Sequence, residues 1–223
     1  MLGCQLAASN SNAAGVKSVE SGEPMAAMYH FNKALAHDPK NADAYYNLAA
    51  TYHELGKKEG DAGKLNQAEQ YYNTCLDASP DHVDCHRGLA VLLVDTKRSD
   101  KAYILLKQWA IRSPQLADPK IELARLYEEF GDKQNAMTQL NQALVVDVNN
   151  SRAWSAMGHL REESGDLPQA LANYQRSYQL NNFDTGVGTK IASLQRQGIQ
   201  TTAPLAPGGD TRFAQNPNSI RRY

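Results

Sequence analysis

Ala170, Ala136, Ala102 and Ala68 stand 34 residues apart, and Ala27 lies 41 before Ala68. Met157, Leu123, Leu89 and Leu48 repeat the steps 34, 34 and 41, and Pro114, Pro80 and Pro39 give 34 and 41 again. Three independent columns share one period and one interruption of seven residues. A fixed period of this length is the signature of stacked small units, each unable to bury its apolar face alone. The chain therefore reads as an array, with most of its contacts between neighbours in sequence.

Each period reads as two helices. Ile121, Leu123, Ala124, Leu126 and Tyr127 recur with helical spacing. Gly131 and Asp132 break the pattern, and Ala136, Leu140, Ala143 and Leu144 resume it at three and four residues. A short connection makes the two helices antiparallel neighbours. The fold class is thus all-α. The seven-residue excess falls between Gly56 and Ala68, in the polar, Gly-containing "KKEGDAGKLNQ". It reads as a longer loop between helices.

The stretch "AWSAMGHLREESGDLPQALANY", Ala153 to Tyr174, shows the unit's grammar: Trp154, Gly158, Gly165, Ala170 and Tyr174 at fixed distances. This pattern of a large ring, a small residue, a turn glycine, a small alanine and an aromatic resembles the tetratricopeptide repeat. The resemblance implies a helical-repeat solenoid of five helix-turn-helix units, 8–41, 42–82, 83–116, 117–150 and 151–184. A closing helix over 185–197 completes an array of 13–197, between an N-terminal tether of 1–12 and a disordered tail of 198–223. The chain departs from the family pattern at several places. Gly15 sits in a weak first helix, Trp109 replaces a small residue, Arg161 replaces a tyrosine, and Val148 and Asn182 replace the closing proline.

Composition excludes some functions. With 23 basic and 24 acidic residues the formal net charge is −1, so there is no basic footprint for nucleic acid. No run approaches the ~18 apolar residues of a membrane span. "DHVDCHRG" holds His82, Cys85 and His86 close together without a fourth ligand, and "GVGTK" at 186–190 lacks phosphate-loop spacing. No nucleophile–base set or catalytic carboxylate pair emerges. The expectation is a chain that is no enzyme, with no cofactor and no resident metal.

What the resemblance implies is protein–protein interaction: a non-enzymatic scaffold or adaptor whose concave groove takes peptide segments of partner proteins. The alternative is a regulatory or assembly subunit of a bacterial envelope, secretion or pilus-type machine. Family geometry puts Asp43, Tyr46, Asn47, Glu54, Asp84, Arg87, Asp118, Glu122, Arg125, Glu128, Glu129, Arg152, His159 and Glu162 on the groove, with Asp95 and Glu163 beside them. The acidic excess points to a basic or amide-rich extended ligand, and the tail's Arg212, Arg221 and Arg222 are an internal candidate. The Lys and Arg clamp of chaperone-binding relatives is absent from these positions.

The cysteines raise a further question. "MLGCQ" followed by the polar "LAASNSNAAG" resembles a bacterial lipobox, which would make Cys4 a lipidation site on an exported, membrane-anchored protein. No charged start and apolar core of a signal peptide stands before it, so a cytoplasmic protein is the alternative. Cys75 falls on the second small column of its unit and Cys85 near the start of the next helix. They form a disulfide if the protein is exported, and two packed thiols otherwise.

Overall fold

In the computed structural model, residues 2–201 are described. Among them are eleven helices and no strand: α1 (Leu2–Glu20), α2 (Pro24–His37), α3 (Ala42–Glu59), α4 (Ala62–Ala78), α5 (Val83–Asp95), α6 (Ser99–Arg112), α7 (Asp118–Glu129), α8 (Lys133–Val146), α9 (Ser151–Glu163), α10 (Leu167–Leu180) and α11 (Thr185–Arg196). The fold is all-α. Two compact units divide inside α6, at Met1–Leu106 and Lys107–Tyr223.

In the first unit, Ala27, Phe31 and Leu48 form a buried cluster flanked by Met28, Leu35, Tyr52 and Tyr71. In the second, a larger cluster gathers Ile121, Ala124, Leu140, Leu144, Trp154, Met157 and Leu160. A smaller one there joins Ala170, Leu171 and Tyr174 to Val187 and Leu194 of α11. Gly158 shows why one column must stay small. A Cβ built there would lie 2.8 Å from the Tyr174 ring, so α9 and α10 could not cross with any larger residue.

One turn recurs at every hairpin. In the Gly165–Asp166 turn, the Gly165 N–H bonds the Glu162 carbonyl and the Asp166 N–H bonds that of Arg161, a Schellman closure. It needs a left-handed residue, and Gly22, Gly60, Gly131 and Gly165 supply it at φ +66 to +78. The hairpin between α5 and α6 makes the same bonds with Lys97 at φ +59, where an L-residue is strained. Arg161, in place of the family tyrosine, is buried and pairs with Asp166 at 3.1 Å.

A second recurring bond ties the starts of α3, α5, α7 and α9 to the turns before them. The Tyr45 hydroxyl donates to the Pro39 carbonyl, His86 Nε2 to Pro80, Lys120 Nζ to Pro114 and Trp154 Nε1 to Val148. Donors and acceptors each step by 41, 34 and 34 residues. Four chemically unlike side chains thus make one bond. The acceptor is a backbone carbonyl, so Val148 serves as well as proline and the departure there leaves the joint intact.

Three sequence-based boundaries differ in the structure. The seven extra residues form no longer loop. Four lengthen the end of α3 and three the start of α4, on either side of the same Gly60–Asp61 turn. Three to four residues are one helical turn, so both helices grow by about a turn and stay in register. Lys57, Lys58 and Glu59 are good helix formers, and Asp61 caps α4 by accepting from the N–H groups of Gly63 and Lys64. The expected tether of residues 1–12 lies almost wholly in α1, with Ala8 fully buried. Gly15, the reason that helix reads as weak, is where Phe31 packs, since a Cβ there would meet its ring at 2.3 Å. Beyond α11, Ile199 folds back onto the Val187–Leu194 cluster after Gly198, so ordered chain runs past residue 198. Arg212, Arg221 and Arg222 lie outside the described residues.

Candidate protein-interaction surface

The first helices of the hairpins are α1, α3 and α5 in the first unit, and α7 and α9 with closing helix α11 in the second. Within each unit every step between successive first helices is bridged by polar side chains. In the first unit, Asn47 of α3 donates to Asn12 of α1 at 2.9 Å. His82, the N-cap of α5, donates from Nε2 to Asp43 at 3.0 Å while its Nδ1 accepts the Cys85 N–H, which fixes the tautomer. His53 and Lys57 of α3 both reach Asp95 of α5, at 3.0 and 2.9 Å. Burial holds the His53 pKa below its usual value, against the pull of Asp95.

In the second unit the bridges are ionic. Arg152 of α9 forks to Asp118, at 2.7 Å, and to Glu122, both on α7. Lys190 of α11 reaches Glu162 of α9 at 3.0 Å, and the Tyr174 hydroxyl donates to the same carboxylate at 2.7 Å. Burial opposes ionisation of Glu162, but the Tyr174 and Lys190 hydrogen bonds outweigh it and hold its pKa low. His159 of α9 stands 3.3 Å from Glu128 of α7 and 3.6 Å from Glu163 on its own helix.

The sequence-predicted positions distribute as follows. Asp43, Asn47, Asp118, Glu122, Arg152, Glu128, His159 and Glu162 belong to these bridges. Glu122 is not solvent-facing; its side chain is only 2% exposed beneath Arg152. Arg87 pairs with Asp84 within α5 at 2.8 Å. Tyr46 is half-buried against the His82 and Tyr72 rings, and desolvation, with Asp84, raises its pKa. Glu54 and Glu129 are exposed, and Arg125 is largely exposed 3.9 Å from Glu122.

The sequence reading missed Asn12 and Lys190, which lie on α1 and α11 beyond the units it was read from, and Lys57. It also weighed His82 only as a member of an incomplete metal-ligand group. The residue before α3, α5, α9 and α11 is Asn41, His82, Asn150 and Asp184, and all four accept a helix N–H, whereas Ala117 before α7 has no side chain to do so. That column was the available signal.

Cys75 on α4 and Cys85 on α5 are both fully buried. Their Sγ atoms are at bonding separation across a Cα–Cα distance of 6.4 Å, within the range a disulfide spans. His82 completes a close group with them. The side chain of Cys4 lies outside those described. Among the described residues no helix is long and apolar enough to cross a membrane.

Comparison with known proteins fits this geometry. Models of the family described as Tetratricopeptide repeat match residues 30–70 and 61–115. A solved thermophilic TPR protein of Thermus thermophilus superposes with a TM-score of 0.63 at 25% identity, covering 85% of this chain and 100% of that one. Residues 30–115 are tetratricopeptide repeats. The solved structure of pilF from Pseudomonas aeruginosa shares the fold, with a TM-score of 0.55 at 18% identity over 87% of this chain and 91% of its own. Cellulose synthase operon protein C of Xanthomonas axonopodis pv. citri is 29% identical over 70% of the chain. A tetratricopeptide repeat and J domain-containing co-chaperone of Fusarium oxysporum f. sp. lycopersici is 26% identical over 74%. The chain spans only 10% and 32% of those two proteins. Tetratricopeptide-repeat proteins are generally non-catalytic scaffolds for protein–protein interaction, and this chain has that architecture.

Proposed function

We propose that this tetratricopeptide-repeat protein holds extended, basic or amide-rich segments of partner proteins on the first-helix face of each of its two units. The observation that carries the reading is the set of cross-helix polar bridges. Long side chains that would otherwise be mobile are held in place before a ligand arrives, so less entropy is lost on binding. Asp43, Glu54 and Glu129 present carboxylates to solvent on this face, and Tyr46, Asn47 and Arg125 add hydrogen-bonding groups suited to a peptide backbone. Charge of one sign on an ordered surface favours ligands of the other.

The experiment is selection of extended peptides from a random library on the full chain, followed by titration of the best binder. Enrichment in Lys, Arg, Asn and Gln is expected. The double reversal Glu54→Lys with Glu129→Lys should weaken binding roughly three- to tenfold, as rim charges do, and added salt should weaken it too. Acidic or apolar selected peptides, or affinity indifferent to both changes, would overturn the proposal.

A further inference from the structure

We propose that Glu128, His159 and Glu163 form a binding site for a divalent transition-metal ion of the zinc class, on the first-helix face of the second unit. His159 and Glu163 lie at i and i+4 on α9, the spacing that brings two side chains over one patch of a helix. Glu128 comes from the last turn of α7. The three ligand atoms all lie within 4.8 Å of one another. His159 Nε2 is 3.3 Å from Glu128 Oε1 and 3.6 Å from Glu163 Oε1. Ligands about 2.0–2.1 Å from a tetrahedral zinc ion are about 3.3 Å apart. The two edges that meet at His159 are thus already close to the length a metal requires, and the third, between the carboxylates, is within 4.8 Å.

A second observation points the same way. Glu128 Oε1 is buried and accepts no hydrogen bond among the described residues. Its approach to His159 is close but not aligned as a hydrogen bond. A buried carboxylate oxygen in that position is costly without a cation. The other oxygen of Glu163, Oε2, is held by Lys133 at 3.0 Å, which leaves Oε1 turned toward His159. A partner that orients a ligating carboxylate from behind is a common feature of metal sites. One histidine and two carboxylates suit a borderline ion, and two negative charges match its +2. Three protein ligands leave the fourth position open on the face where a partner would lie.

The site does not depend on peptide binding, and its test uses the metal alone. The full chain, with Cys75 and Cys85 oxidised, is titrated with Zn2+ by calorimetry, and with Co2+ followed by its visible spectrum. One ion per chain is expected, with a tetrahedral Co2+ spectrum lacking a thiolate charge-transfer band. His159→Ala, Glu128→Gln and Glu163→Gln should each weaken binding at least tenfold, while Glu23→Gln, at an exposed carboxylate of the first unit, leaves it unchanged. The Glu→Gln variants keep side-chain shape, and circular dichroism confirms that each variant is folded. Zn2+ affinity equal in wild type and His159→Ala, a thiolate band with Co2+, or equal losses in Glu23→Gln and Glu128→Gln would overturn the site.

Discussion

Between α3 and α5 the cross-helix bridges are made by histidines, with Lys57 joining His53 on Asp95. Between α7 and α9 they are made by an arginine fork and the Glu128–His159–Glu163 group. The first unit adds a ladder of rings, with Tyr46, Tyr72, His53 and His82 at 5.9–6.3 Å, and joins α4 to α5 through Cys75 and Cys85. The second unit contains no cysteine and orders the same face with ion pairs. One backbone template is therefore held by two chemistries. Neutral histidine bonds and a covalent link respond little to salt, whereas partly exposed ion pairs are screened by it. The face of the second unit should loosen first as salt rises.

The largest effect that separates the units is expected at the recurring bond between first helix and preceding turn. Trp154→Ala removes a buried ring and should destabilise the second unit by about 3–5 kcal/mol, read as guanidinium-induced unfolding. Trp154→Phe keeps the six-membered ring but loses the bond to Val148 and leaves a small cavity, for about 1–3 kcal/mol. Tyr45→Phe, the equivalent and exposed bond in the first unit, should cost less than that.

Next comes the covalent link. Replacing both Cys75 and Cys85 by alanine should cost the first unit roughly 2–3 kcal/mol, from the loop entropy of a sequence separation of 10. Hydrogen exchange should show the loss in α4 and α5 and none in α9 to α11. Arg152→Ala should do the reverse. It strips a guanidinium from the buried Glu122 and should cost the second unit about 2 kcal/mol, with the wild-type advantage shrinking in high salt.

Smaller effects sharpen the contrast. Lys97→Gly relieves a left-handed lysine and should stabilise its hairpin by about 0.5–1 kcal/mol. The smallest effect belongs to His53. Its folded pKa is depressed, so the folded state prefers the neutral ring. The stabilisation is present above pH 6.5, the ordinary histidine value, and is lost as pH falls through the folded pKa. An NMR titration of the His53 ring should give a pKa below 6.5; a value above it would reverse the sign.

The periodic skeleton was legible because packing columns depend on residue size and recur at a fixed step. Gly158 against Tyr174 and the glycine of each turn are visible in sequence for that reason. The extra turn on α3 and α4 was not, because a polar insert with two glycines resembles a loop, and only the caps Gly60 and Asp61 show that it is helix. Asp43, Asp118, Glu122, Arg152 and Glu162 were legible as residues of the first helices. Their pairing was not: a count of carboxylates does not reveal that Arg152 covers Glu122 or that Lys190 reaches Glu162. Those contacts join residues about 30 apart, and α11 lies outside the repeat pattern from which the face was read. The Tyr45, His86, Lys120 and Trp154 joint was hidden for a different reason, since four unlike side chains do not look like a column.

The central claim is that the bridged first-helix face of each unit is where a partner segment binds. Amide chemical-shift mapping of the labelled full chain during titration with a library-selected peptide tests it most directly. The account predicts shifts concentrated on α3, α5, α7 and α9, around Asp43, Tyr46, Glu54, Arg125 and Glu129, with little change on α4, α8 and α10. Shifts concentrated on those second helices, with the first helices unperturbed, would contradict it.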